Sequence, residues 1–251
     1  MPTPPTVPMP PSPRRDPRQV PLRGFVSPAS LRWVVRNRAW TPFYLVRYWR
    51  FLLLRLRHPD VVTEGFVFLG RRVEIQTRRG FGRIVLGRWV HLGDDNRLRA
   101  HEGTLRVGDK SVFGRDNTVN CYLDVEFGPR CLVADWVYIC DFDHRVDDVD
   151  APIKDQGLVK SPVRLGADVW VGVKASVLRG AQIGQGSVLA AHTVARGTIP
   201  AYSVVAGVPG RVVRSRRTQG PAAATGPETS PETSPETSPE TSPETSPGTV
   251  P

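Results

Sequence analysis

Aliphatic residues recur at every sixth position between Leu165 and Val194. Leu165, Val171, Val177, Ile183 and Leu189 lead successive hexads, and a small or β-branched residue follows four positions after each: Val169, Ala175, Ala181, Ser187 and Thr193. Glycine or alanine comes directly after the lead at Gly166, Gly172, Gly184 and Ala190, with Leu178 breaking that column. A period of six fits neither a helix nor a flat strand, which repeat at 3.6 and 2.0 residues. Short strands joined by tight corners do satisfy it, and hexapeptide repeats predict a β-helix whose stacked turns bury one continuous column. The same frame runs upstream. Val107, Phe113 and Val119 lead three hexads, while Phe127, Val133 and Ile139 lead three more, offset by two residues. Leu86, Leu92 and Leu98 extend the pattern further toward the N-terminus. The predicted class is all-β, a parallel β-helix solenoid over residues 61–217.

The frame stops twice. After Ile139 the next clean lead is Leu165, 26 residues on, and the interruption opens with Asp141-Phe142-Asp143-His144. So long a loop on a tight solenoid points to function. The flanking carboxylates would orient the His144 ring and raise its basicity. A shorter break between Leu98 and Val107 holds His101-Glu102. If that bulge adjoins the His144 loop, the pair is a candidate for binding an acceptor. His91 and His192 read as structural or surface residues. Asn120, directly after a lead, is either an active-site amide or a corner hydrogen bond of the kind Asn makes in turns.

Ahead of the solenoid, residues 28–60 form a basic aromatic helical segment. Thr41-Pro42 is a helix start, with Thr as N-cap and Pro in the first turn. Seven arginines interrupt residues 30–57, so no uncharged run reaches the ~18–20 residues of a membrane span. Two readings stand. The segment lies in an anionic membrane interface, with Trp33, Trp40, Tyr44, Tyr48, Trp49 and Phe51 at headgroup depth. Alternatively it covers the exposed end of the solenoid, which such folds require.

Composition bounds the rest. Residues 1–22 contain nine prolines, and residues 227–247 are five Pro-Glu-Thr-Ser units closed by a proline. Neither stretch can build a core, so 1–27 and 218–251 are expected to be disordered. The net charge of +10 is uneven: +9 in residues 1–60, +6 in 61–217 and −5 in 218–251. A diffuse positive charge suits a phosphate-rich ligand, but no nucleic-acid motif accompanies it, and no nucleic-acid partner is expected. Cys121, Cys131 and Cys140 lack metal-ligand spacing and read as buried free thiols in a reducing compartment. Prolines occupy the place of a signal-peptide apolar core, which predicts a cytoplasmic protein.

From Val107 to Arg214 the chain resembles the hexapeptide-repeat acyltransferases, in particular their galactoside and maltose O-acetyltransferase branch. VGDKSVFGRDNTVNCYLD, CDFDH, LGADVWVGVKASVLRGAQIGQGSVLAAHTV and IPAYSVVAGVPGRVVR carry the likeness. It implies a left-handed parallel β-helix, a homotrimer with sites between subunits, and direct acyl transfer in a ternary complex. Acetyl-CoA or another acyl-CoA is the implied co-substrate, with a sugar, glycan or glycolipid hydroxyl as acceptor and no metal. By the same resemblance His144 is the general base and Asn120 an active-site amide. Asp124 is implied on the acceptor side, where Asp141, Asp143 and His101 join it as candidates from the loop and bulge. Ala190, Ala195, Arg196, Arg211 and Arg214 match coenzyme A contacts, and Trp170 is the family's tryptophan, a wall of the donor site. Three other readings compete with O-transfer: N-acetylation of an amino sugar, a zinc-dependent carbonic anhydrase on the same solenoid, and a non-enzymatic scaffold. The histidines are too scattered for a three-His zinc site. A scaffold needs neither the DFDH loop nor the closing arginine motif.

Overall fold

The computed structural model describes residues 27–218. The disorder expected for residues 1–26 and 219–251 lies outside the described residues. Two helices precede a three-faced parallel β-solenoid of about six turns, the β-helix that the hexads predict.

Each turn contributes one short strand to each of three parallel sheets, here called faces A, B and C. Face A runs from Val61–Thr63 to Thr198–Ile199, face B from Val67–Leu69 to Ser203–Ala206, and face C from Glu74–Thr77 to Val194–Ala195. The lead aliphatics cycle through the faces. Leu165 pairs with Ile183 on face A, Val171 with Leu189 on face B, and Val177 with Ala195 on face C. All six point inward and are buried. So are the small-column residues Val169, Ala175, Ala181, Ser187 and Thr193. The two hydroxyls in that column do not stay unpaired. Ser187 Oγ donates to Pro200 O at 3.0 Å and accepts from Ser203 N at 3.2 Å, and Thr193 Oγ1 donates to Val205 O at 3.3 Å. Cys131 and Cys140 are buried free thiols as expected, and so is Cys121. Burial pushes the Cys131 thiol up to about 11 and raises Cys121 and Cys140 as well, so none is poised as a thiolate.

Two corners of every turn are tight, and left-handed residues recur at them. Trp89, Lys110, Arg130, Asp168 and Tyr202 mark the corner from face A to face B, and Arg72, Asp95, Asp116, Trp136, Lys174 and His192 the corner from B to C. His192 therefore serves a turn. The third corner, from C back to A, is different. Face A strands step from Val61 to Ile84, Leu105, Val125 and Val163, then from Arg164 to Gln182 and Thr198, intervals of 23, 21, 20, 38, 18 and 16 residues. The surplus over a regular 18-residue turn collects at this corner.

Helix α1 (Pro28–Arg36) and helix α2 (Pro42–Arg57) close the N-terminal end. Ser27 Oγ caps α1 by accepting from Ser30 N at 3.1 Å. Pro42 opens α2 as predicted, but the Thr41 hydroxyl makes no cap hydrogen bond. The helices cover the outer side of the first face B strand. Trp33 stacks on Trp89 at 4.4 Å and on Phe68 at 5.5 Å, while Tyr44 and Tyr48 meet Phe68 edge-on. Phe51 and Leu54 enter the solenoid core itself. Four of the six aromatics offered above for a membrane interface thus pack on protein; Trp40 and Trp49 do not. No described helix is long and apolar enough to cross a membrane.

Candidate active site

The irregular corner carries a column of rings. At the 21-residue step it holds His101-Glu102, at the 20-residue step Tyr122-Leu123, and at the 38-residue step the whole segment 141–162. His101 stacks on Tyr122 with centroids 4.6 Å apart, and Tyr122 meets Phe142 at 4.5 Å. Phe142 in turn lies 6.5 Å from His144. Gly103 lets the chain turn this closely: its φ is +63°, and a Cβ there would stand 1.8 Å from Leu123 O.

His144 is presented on a hairpin. Phe142–His144 pairs antiparallel with Leu158–Lys160, so His144 faces Leu158 in register. Its side chain is exposed at the loop's outer edge. Beyond it, Gln156 fastens the loop by donating to Asp148 O at 2.7 Å and Ala151 O at 2.8 Å and accepting from Asp148 N at 3.1 Å. Lys160, on the return strand, pairs with Glu102 and lies 5.4 Å from the Tyr122 ring. The Lys160 ammonium holds the Glu102 carboxyl below its ordinary range. The bulge at His101-Glu102 and the His144 loop are therefore neighbours.

The carboxylates divide by geometry. Asp141 is fully buried: its Oδ1 accepts from Tyr122 N at 2.8 Å and its Oδ2 from Leu123 N and Asp124 N, both at 2.7 Å. Every oxygen is committed to the preceding turn, so the acceptor-side role expected for Asp141 is corrected to one of holding the corner. Asp143 remains half-exposed and is held by Arg179 Nε at 2.9 Å and Arg196 Nη2 at 3.7 Å. Asp124 pairs with Arg164. Asn120 lies beside Cys140 in the neighbouring turn. Its buried Oδ1 has no hydrogen-bond partner.

The residues expected to bind coenzyme A do not form one site within a single chain. Trp170 and Arg214 share a groove of about 360 Å³ on face B, with Leu132, Val188, Val204 and Arg216. This groove joins an apolar floor to a guanidinium rim. Arg214 reaches it because the last strand, Arg211–Ser215, folds back antiparallel on Ser203–Ala206. Arg211 lies at the far end of that strand, and Ala190 at the corner after face B. Arg196 sits with Asp143, on the His144 side. Ala195 faces the core, fully buried, so its side chain is unavailable to any ligand. Among the described residues no three or more His, Cys, Asp or Glu side chains group as a metal site.

Tyr122, Lys160, Arg164 and Arg179 were missed in the sequence. The signal for Tyr122 was present: Ala100 and Cys121 are partners in register, so His101 and Tyr122 occupy equivalent bulges. For the cations, pairing partners 36–58 residues away leave no local trace.

No family model matches the chain. A Mycobacterium tuberculosis protein named "Probable acetyltransferase Rv3034c" is 57% identical over 210 residues, covering 84% of this chain and 69% of the relative. The Escherichia coli K12 protein "Putative lipopolysaccharide biosynthesis O-acetyl transferase WbbJ" is 34% identical over 117 residues, 41% of this chain and 60% of that one. Among solved structures, AntD, an N-acyltransferase from Bacillus cereus in complex with dTDP and 3-hydroxybutyryl-CoA, superposes with a TM-score of 0.55 at 16% identity. It covers 65% of this chain and 88% of AntD, a likeness of fold.

Proposed function

This chain belongs to the hexapeptide-repeat acyltransferases, and we propose that it transfers an acetyl or other short acyl group from acyl-CoA to a hydroxyl of a glycan or glycolipid. The observation that carries this reading is the hairpin that projects His144 from the one irregular corner, next to a stacked column of His101, Tyr122 and Phe142. Aromatic faces and paired charges around an exposed imidazole suit a sugar ring and its hydroxyls. His144 takes the acceptor proton as the oxygen attacks the thioester carbonyl. The tetrahedral intermediate then expels the coenzyme A thiolate, which receives that proton, leaving an ester and free thiol. Asn120, with its unpartnered Oδ1, positions the acceptor or the base. Asp143, His101 and Asp124 line the acceptor side, the first steadied by Arg179 and Arg196.

Donor binding is assigned to the face B groove: Trp170 walls the pantetheine while Arg214 and the nearby Arg211 meet phosphates, for which a guanidinium is well shaped. Because this groove and the His144 corner lie on different parts of one chain, the reading includes a homotrimer in which one subunit's corner meets a neighbour's face B. It also includes a cytoplasmic location, where acyl-CoA is made. O-transfer is preferred over N-transfer because the WbbJ relative is named for O-acetylation. Mass spectrometry of cell-envelope glycans and glycolipids tests the reading. A strain lacking the protein should lose one acyl group, restored by the wild-type chain and not by His144→Ala. An unchanged acyl profile in the deletion strain refutes it.

A further inference from the structure

Helices α1 and α2 have two apolar faces, and the solenoid uses one. Trp33, Tyr44, Tyr48, Phe51 and Leu54 face the solenoid. On the other side Leu45, Trp49 and Leu56 follow one another at helical spacings of four and seven residues and stand 56%, 60% and 70% exposed. Trp40, in the turn between the helices, is 54% exposed. A cap that only covers the solenoid end has no need of this second face.

Between the helices runs an apolar groove of about 440 Å³, walled by Leu31, Val34, Trp40, Leu45, Leu52 and Phe66. Tyr48 also lines it, and its hydroxyl is buried without a hydrogen-bond partner. Burial raises this phenol above its ordinary range, so it stays a neutral donor.

Charge selects the occupant. Residues 28–57 contain seven arginines and no carboxylate. Arg36, Arg38 and Arg57 are exposed. Two such faces pressed together would oppose like charges, whereas an anionic bilayer meets both the apolar stripe and the guanidinium groups. We propose that the outer face of the α1–α2 hairpin docks on an anionic lipid surface, with one lipid acyl chain in the groove. The inference stands independently of the transferase reading, since it uses none of that site's residues.

Flotation of the full-length protein with vesicles of phosphatidylcholine, with or without phosphatidylglycerol, tests it, with the tryptophan emission recorded in parallel. Binding should favour the phosphatidylglycerol vesicles by about tenfold or more, weaken with salt, and shift the emission to the blue. Leu45→Ser/Leu56→Ser, whose side chains point away from the solenoid, should keep the circular dichroism and melting curve while losing about tenfold in vesicle affinity. Absence of binding to anionic vesicles, or equal binding by the double serine variant, overturns the proposal. So does a lipid-free self-association that the serine variant abolishes, because the occupant is then a second copy.

Discussion

Removing the Asp141 carboxylate should do more harm to this solenoid than removing any exposed loop residue. Its two oxygens accept three backbone N–H groups of the preceding turn at 2.7–2.8 Å, and Cys121 Sγ lies 3.6 Å from Oδ2. Hydrogen bonds to a charged acceptor contribute roughly 1.5–3 kcal/mol each, but the three share one carboxylate and do not add. Asp141→Ala leaves the N–H groups of Tyr122, Leu123 and Asp124 without partners in a dry corner. Breaking a buried charged cluster of this kind costs about 3–5 kcal/mol. For a domain of this size, about 2–4 °C of melting temperature corresponds to each kcal/mol, so the midpoint should fall by roughly 6–20 °C. Asp141→Asn should be nearly as damaging, since one acceptor oxygen becomes an NH₂ aimed at N–H donors. Calorimetry on both variants reads the loss. Transfer assayed well below the melting point should also fall, because the same N–H groups seat Tyr122 beneath Phe142. A midpoint within 2 °C of wild type for Asp141→Ala would refute the reasoning.

His144→Ala should lower the transfer rate by about 10²-fold or more while leaving the circular dichroism spectrum unchanged, and wild-type activity would remove it from the mechanism. Trp170→Ala and Arg214→Ala should each raise the KM for acyl-CoA and spare that for the acceptor; a shift confined to the acceptor would reverse the donor assignment. His91 is pushed down to about 4 by burial against the helices, with Arg47 adding to the shift. The unfolded chain therefore binds that proton first, near 6.5, and stability is full above this value and declines as pH falls toward 4. The effect is at most about 3 kcal/mol from the size of the shift, less for the residue's partial exposure. His91→Phe should flatten that acid limb of the melting temperature, and an unaltered slope would count against it.

The core was legible in the sequence because each hexad places one lead residue on one face, so a linear period maps directly onto a buried column. The two-residue offset between the Val119 and Phe127 frames was also meaningful: it is the Tyr122-Leu123 bulge. The frame also located Ala195 as a buried position. It stands six residues after Leu189, in a lead position, and its burial follows from that spacing. Asp141 offered no such clue. Whether a carboxylate beside a loop faces solvent or the turn before it depends on N–H groups 17–19 residues earlier in the chain. In the helical segment, composition left capping and membrane contact as alternatives. The structure stacks Trp33 and Tyr44 on the solenoid and leaves Trp49 exposed. Within the segment read as helical, α1 was not told apart from α2 because its nine residues carry too short an apolar pattern to stand apart.

The most direct test of the central claim follows the acyl group itself. Purified protein, radiolabelled acetyl-CoA and an envelope glycolipid extract are incubated together, and free coenzyme A thiol is counted against label in the glycan. Wild type should release one thiol per acetyl gained, with the label removed by mild base as an ester is, and His144→Ala should do neither. Thiol release and labelling at wild-type rates in the His144→Ala variant, or label that resists base, would contradict O-acyl transfer driven from the irregular corner.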